Sequence, residues 1–265
     1  MATKTDLSPH AFQVCLSVAA FSRAGSSGQG LRPAPGHGIG RLRRHAIAFS
    51  SIAVVPDPDP ADAARFYEFF AGLGVTTLGV NVEETEGVNP QVTEVDRARS
   101  AEFWAALTDA WRSNPVVQLR EITRVMNFAN TVLHNHAPAP TPFDMPWDPL
   151  PTIAYDGGVI MLSPELAGFT DERFGDFTTG NALRDGLDVL VHEAEKRTPW
   201  ITEFWDGVDA CRVTCSFFAF CGGAHPANRY FEHDGRFDGT RTRYCTAAKT
   251  ALLEGVARHA SSHCP

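Results

Sequence analysis

Four cysteines, Cys211, Cys215, Cys221 and Cys245, fall within 35 residues of a 265-residue chain and are spaced C-x3-C-x5-C-x23-C. Thiolates are soft ligands, and four of them can saturate a [4Fe–4S] cluster, one on each iron, or surround one zinc. Structural zinc commonly draws on tight C-x2-4-C pairs on both sides, whereas only the first pair here is tight. Gly222 and Gly223 directly follow Cys221, so the backbone can fold closely and aim amide N–H groups at sulfur. Phe217, Phe218 and Phe220 would keep water away from such a centre. Iron–sulfur ligation is the favoured reading, with zinc, disulfides or free thiols as the alternatives. His225 and His233 are rival ligands, although histidine in a polar loop more often only hydrogen-bonds. Cys15 stands alone in the N-terminal segment and is read as a plain thiol.

Composition narrows the setting of this chemistry. A hydrophobic content of 43% can bury a full core. A formal charge of −8 gives nucleic acid or an anionic membrane surface no broad attraction, which favours a small molecule or a peptide as partner. No apolar run approaches the roughly 18 residues needed to cross a bilayer. The stretch from Ala11 to Phe21 is broken by Gln13 and makes a poor export signal. Clustered cysteines without such a signal point to a metal site in a reducing cytoplasm.

Several elements are expected to position the cysteines. Residues 1–41 are rich in Gly, Ser, Arg and Pro and predict a poorly ordered or non-native N-terminus. AIAFSSIAVV from Ala46 to Val55 predicts a strand covered on both faces. Asp59 as N-cap and Pro60 at the first helical position then open a helix carrying Phe66, Phe69, Phe70 and Leu73. VTTLGVNV from Val75 to Val82 predicts a second strand, parallel to the first because a helix separates them. Helices follow at 93–112, with Phe103, Leu107 and Trp111 inward, and at 117–133, with Leu119, Ile122, Met126 and Ala129 inward. The six prolines of 134–151 predict a linker. Asp156-Gly157 predicts a two-residue hairpin turn between Thr152–Tyr155 and Gly158–Leu162. A helix is expected from Leu183 to Lys196, loops and short strands through the cysteines, and a last helix from Thr246 to His259.

The cysteine text C-x3-C-x5-C-G-G, followed by PANRYFEHDGRFDGTRTRYC, resembles the C-terminal SPASM or twitch-type module of radical SAM peptide maturases, near the branch that cross-links ribosomal peptides into cyclophanes. The likeness runs upstream through PLPTIAYDGG, SPELAGF, FGDFTTGN and NVEETEGVN at residues 81–89, leaving only the N-terminus outside. It implies an α/β fold: the remnant of a partial parallel (β/α) barrel over 42–133, then a cysteine-rich iron–sulfur module over 152–265. It also implies an auxiliary [4Fe–4S] cluster on the four cysteines, S-adenosyl-L-methionine (SAM) as co-substrate, and a ribosomally synthesised precursor peptide as partner.

By the same resemblance Glu83, Glu84, Glu86 and Asn89, which follow the second parallel strand, would face a SAM and substrate cavity; as residues alone they read equally as a solvated acidic loop. Arg120 and Arg124 share a helical face that could meet a carboxylate of SAM or peptide, although surface arginine is commoner, and Asn228, Tyr230 and Glu232 are candidates to hold the cluster loop or bind the peptide leader. Ala224 stands where such relatives often carry a third glycine. The family's first barrel strand leads into a CxxxCxxC loop that holds the SAM-cleaving cluster, and this sequence has no such loop. The expectation is a shortened relative that lacks the first four barrel strands, with radical activity of its own left open. A non-catalytic module that binds a precursor peptide or a full-length maturase is the competing function. A zinc-stabilised structural protein is the third.

Overall fold

The computed structural model describes residues 15–18, 36–87, 89, 96–134 and 149–262. Their contacts divide the chain into two units: Met1–Glu83 with Val95–Asn127 and Ala251–Pro265, and Glu84–Glu94 with Phe128–Thr250.

The first unit is built on a parallel sheet of four strands in the order β1 (Cys15–Val18), β2 (Ser50–Val55), β3 (Thr77–Val82) and β4 (Gln118–Leu119). The predicted strand–helix–strand unit is present, and its two strands pair in parallel over six residues, from Ser50 opposite Thr77 to Val55 opposite Val82. β2 starts at Ser50 rather than at Ala46, whose positive φ of 51° takes the chain out of extended geometry. Two flanking strands, β1 and β4, were not foreseen. Within the residue 1–41 segment, expected to be poorly ordered or non-native, the described residues are strand β1 at Cys15–Val18 and the first part of helix α1 (Gly36–Arg44). The segment's other residues lie outside the described ones.

Asp59 caps as expected, its carboxylate accepting the Ala61 N–H at 3.0 Å, and a 3-10 turn over Pro60–Asp62 leads into α2 (Ala63–Leu73). Gly74, at φ 78°, ends that helix in the left-handed conformation that costs glycine least. Phe66 and Phe70 are buried against each other, and Phe66 meets Phe103 of α3 (Arg97–Ser113) edge-on at 6.3 Å, with Trp104 packed on Phe103 in turn. Helix α10 (Ala251–Ser262) closes this unit against α3. Gly255 permits the approach, since a Cβ there would collide with the Ala101 carbonyl and Trp104.

Helix α4 (Arg120–His134) differs instructively from the predicted stripe. Leu119 belongs to β4, so the helix begins one residue later and its inward face is Glu121, Ile122 and Val125, while Met126 is 52% exposed. β4 covers only Thr77 and Leu78 of β3. Beyond it the Val80 N–H would lack a partner, and the buried Glu121 carboxylate accepts it at 2.8 Å.

In the second unit β5 (Thr152–Ile153), β6 (Gly158–Ile160) and β7 (Gly180–Asn181) form an antiparallel sheet in that order. The hairpin at Asp156-Gly157 is present, but its loop has three residues: Gly157 N–H bonds to Ala154 O at 2.9 Å and Ala154 N–H to Gly158 O at 2.8 Å. Gly157 takes φ 86°, as a type I turn closed by a left-handed residue requires. The single helix expected over Leu183–Lys196 is two short ones, α5 (Leu187–His192) and α6 (Ala194–Arg197), broken at Glu193. Most of the proline-rich segment 134–151 lies outside the described residues.

The reading of the cysteine segment as loops and short strands is overturned. Cys211 sits in the last turn of a sixteen-residue helix, α7 (Pro199–Thr214), and two more helices follow, α8 (Phe218–Cys221) and α9 (Pro226–Glu232). Pro199 supplies the pre-set first residue, and Trp200, Ile201, Phe204, Val208 and Cys211 line one buried face. That face joins Val159, Met161, Leu166, Phe177, Leu190 and Phe237 in the core of this unit, where the Trp200 and Phe237 rings lie 4.9 Å apart. Among the described residues no helix is long and apolar enough to cross a membrane.

Candidate metal centre

Three short pieces of backbone bring the four thiols together. Cys211 is buried near the end of α7, and Cys215 follows at the helix C-cap, its backbone turned out to φ −110° and ψ 117° while its N–H still bonds to Cys211 O. Cys221 ends α8. Cys245 opens a π-helical turn over Cys245–Thr250, its N–H donating to Thr242 Oγ1 at 2.9 Å. All four are free thiols, and all four line one cavity of about 220 Å³. Thr214, Phe217, Phe218, Gly223, Ala224 and Thr250 complete much of its wall, whereas His225 and His233 are not among the lining residues. Among the described residues no group of three or more His, Cys, Asp or Glu side chains is arranged to hold a metal ion.

The segment after Cys221 is shaped for sulfur. Gly222, Gly223 and Ala224 all have positive φ, at 79°, 112° and 74°, so three successive peptides curl back. The amides of Gly223 and Ala224 are thereby aimed at the Cys221 thiol. Gly223 is required twice over, because a Cβ there would lie 2.9 Å from Val208 Cγ1. Ala224 accepts a left-handed conformation that glycine would take more readily.

Electrostatics separates the thiols. A hydrogen bond from the Cys245 thiol, with the Gly223 and Ala224 amides and the charge of Lys249, pushes the Cys221 thiol down to about 5 against the opposing effect of burial. The same bond and burial push Cys245 up. Burial also raises Cys211, and the Arg229 guanidinium opposes it.

Arg229 is the residue that sequence reasoning passed over. It lies on α9 with no exposed surface, and Nη2 stands 3.4 Å from Cys211 Sγ. Its other partners are carbonyls: Gly239 O at 2.6 Å, Phe237 O at 3.3 Å, and Gly223 O, with the Phe204 ring 5.2 Å away. Among the described residues no carboxylate pairs with it. The signal was an arginine amid Ala227, Tyr230 and Phe231 in a segment already noted as a motif.

The predicted loop residues fall in different places. Glu83 belongs to the first unit, its N–H bonded to Val55 O at 2.9 Å. Glu84, Glu86 and Asn89 belong to the second, where Glu86 and Asn89 close a tight turn around Gly87 and Asn89 Nδ2 bonds to Glu84 O. Glu84 reaches the cysteine module directly, because Asn228 Nδ2 donates to its Oε2 at 2.5 Å, and Asn228 precedes Arg229 on α9. Burial, with the charges of Glu84 and Glu165, pushes Glu86 up to about 8. Glu232 accepts the Arg243 and Tyr244 N–H groups and so holds the approach to Cys245, while Tyr230 donates to Asp171 at 2.7 Å. In the first unit Arg120 is engaged by Glu121 and Asn81, and Arg124 is exposed on the same helix.

The chain has a relative in Synechocystis. It is 28% identical over 224 residues to an uncharacterized protein of that organism, a match covering 83% of this chain and 54% of the other. The chain therefore spans about half the length of that relative. No protein-family model matches it, and no solved structure matches it.

Proposed function

We propose that this chain is an iron–sulfur protein in which Cys211, Cys215, Cys221 and Cys245 hold a [4Fe–4S] cluster, and that it is related to the auxiliary-cluster part of radical SAM/SPASM peptide maturases. The observation that carries the reading is the cavity itself: four free thiols line it, and a fully buried arginine, with no carboxylate partner among the described residues, stands behind them.

The residues fit the group in three respects. The donors are all soft sulfur, which suits iron–sulfur or zinc far better than hard cations. The four thiols line a cavity of about 220 Å³, whereas one zinc needs every sulfur about 2.3 Å from a single centre. Backbone amides from Gly223 and Ala224 are aimed at Cys221, the kind of donation that tunes such sulfurs. When bound, a cluster with cysteine on every iron supplies one-electron transfer and stabilises the fold around it. The protein's own contribution is to supply deprotonated thiols, keep water out with Phe217 and Phe218, and fix the loop through Glu232 and Thr242.

In this reading the partner is a ribosomally synthesised precursor peptide, reached alone or together with a full-length maturase that supplies SAM cleavage. Glu84 and Asn89 lie on the side of the module linked to the cysteines through Asn228 and Arg229. A zinc-stabilised structural protein is the rival for the same four thiols.

Anaerobic reconstitution with ferrous iron and sulfide, followed by dithionite and SAM in the same tube, tests the proposal. A cluster without SAM cleavage is expected. Cys211→Ala and Cys245→Ala are expected to lose the cluster and melt earlier, because metal binding and folding are coupled. Unchanged iron content and melting in both variants would remove the assignment.

A further inference from the structure

Arg229 poses a question that the cysteine ligation alone does not answer. A buried charge without a counter-ion costs several kcal/mol, and natural proteins pair such groups. Arg229 has no exposed surface and no carboxylate partner among the described residues, and its neighbours are the carbonyls of Phe237, Gly239 and Gly223 and the sulfur of Cys211. Carbonyl dipoles orient the guanidinium but carry no net charge. Among the described residues, the groups beside it that can become anions are the cavity thiols.

The scaffold is shaped to hold the cation there. Gly207 of α7 has no side chain, and a Cβ at that position would run into Nη1 of Arg229 and lie 2.8 Å from Phe237 O. The Phe204 ring faces the guanidinium at 5.2 Å, a favourable cation–π placement in a desolvated site. Lysine could supply charge but not the planar fork that satisfies several carbonyls at once.

Resting on the iron–sulfur reading above, we infer that Arg229 is a buried counter-cation of the cluster and poises its reduction potential upward. Reduction adds one electron to the cluster and makes it more negative by one charge, with no bond formed or broken. A fixed positive charge beside Cys211 favours that reduced state. The electron comes from a low-potential one-electron donor, for which dithionite serves in the assay. Arg229 is thus a positioning and tuning residue rather than a catalytic one.

The test compares reconstituted full-length wild type, Arg229→Met and Arg229→Lys by iron and sulfide content and by dye-mediated redox titration. Arg229→Met is expected to lower the midpoint so that reduction is at least about tenfold less favourable, about 59 mV for one electron, while Arg229→Lys recovers much of that shift. If Arg229→Met holds no cluster but Arg229→Lys does, the requirement for charge is equally established. Equal potentials in all three proteins, or equal cluster loss in both variants, would overturn the inference and leave the wild-type cluster assignment standing. A wild type without iron and sulfide would instead overturn the reading on which it rests.

Discussion

Nη2 of Arg229 lies 3.4 Å from Sγ of Cys211, with both side chains buried. A permanent cation and an ionisable sulfur meet with little surface exposed to solvent, so the packing that fixes one also fixes the other. The helix carrying Cys211 and the helix carrying Arg229 consequently share one tolerance for error.

That tolerance is set at Gly207. Gly207→Ala places a methyl against Nη1 of Arg229 and the Asp238 backbone, with Cα 2.8 Å away. The expected cost is about 1–3 kcal/mol, the usual range for overpacking, read as a lower urea midpoint. Gly72→Ala in α2 meets nothing within 4 Å. It is expected to stabilise by about 0.5–1 kcal/mol through helix propensity. Equal effects of the two substitutions would contradict the packing described.

Glu121 should matter more than an ordinary helix glutamate. Its carboxylate replaces a strand partner for the Val80 N–H. Glu121→Ala strands that buried donor and is expected to cost about 1–3 kcal/mol. Glu121→Gln keeps an acceptor and should retain part of it, with chemical denaturation as the measurement. A neutral Glu121→Ala would show that another group takes the bond.

The acidic turn predicts a pH dependence. Glu86 is pushed from an ordinary 4.5 up to about 8 by burial and by its acidic neighbours. Between those values the folded state keeps a proton that the unfolded state has released, so this group makes stability fall as pH rises from about 4.5 to about 8 and level off above. Glu86→Gln, which carries no titrating proton, should flatten that slope. Denaturation midpoints measured at steps of pH would decide, and identical profiles for the two proteins would contradict the shift.

How far the sequence was legible follows from how local each signal is. Asp59 and Pro60 act within a turn of their own position, and the structure has the helix they open. The parallel pairing of β2 and β3 followed from the intervening helix alone. β4 was hidden because two residues paired to a distant strand carry no periodicity of their own. Leu119 was accordingly assigned to the helix that starts one residue later. Helix α7 was marked by Thr198-Pro199 and by the spacing of Trp200, Phe204, Val208 and Cys211, but the cysteines drew the reading toward loops. The four thiols were visible from residue type and spacing. Arg229 was not, since an arginine reads as a surface residue until its burial is known.

The central claim is best tested by counting iron, acid-labile sulfide and zinc per chain in anaerobically reconstituted wild-type protein. About four irons and four sulfides per chain, with a broad absorption band near 400 nm, are expected for a [4Fe–4S] centre on the four cysteines. One zinc per chain without iron or sulfide would contradict it.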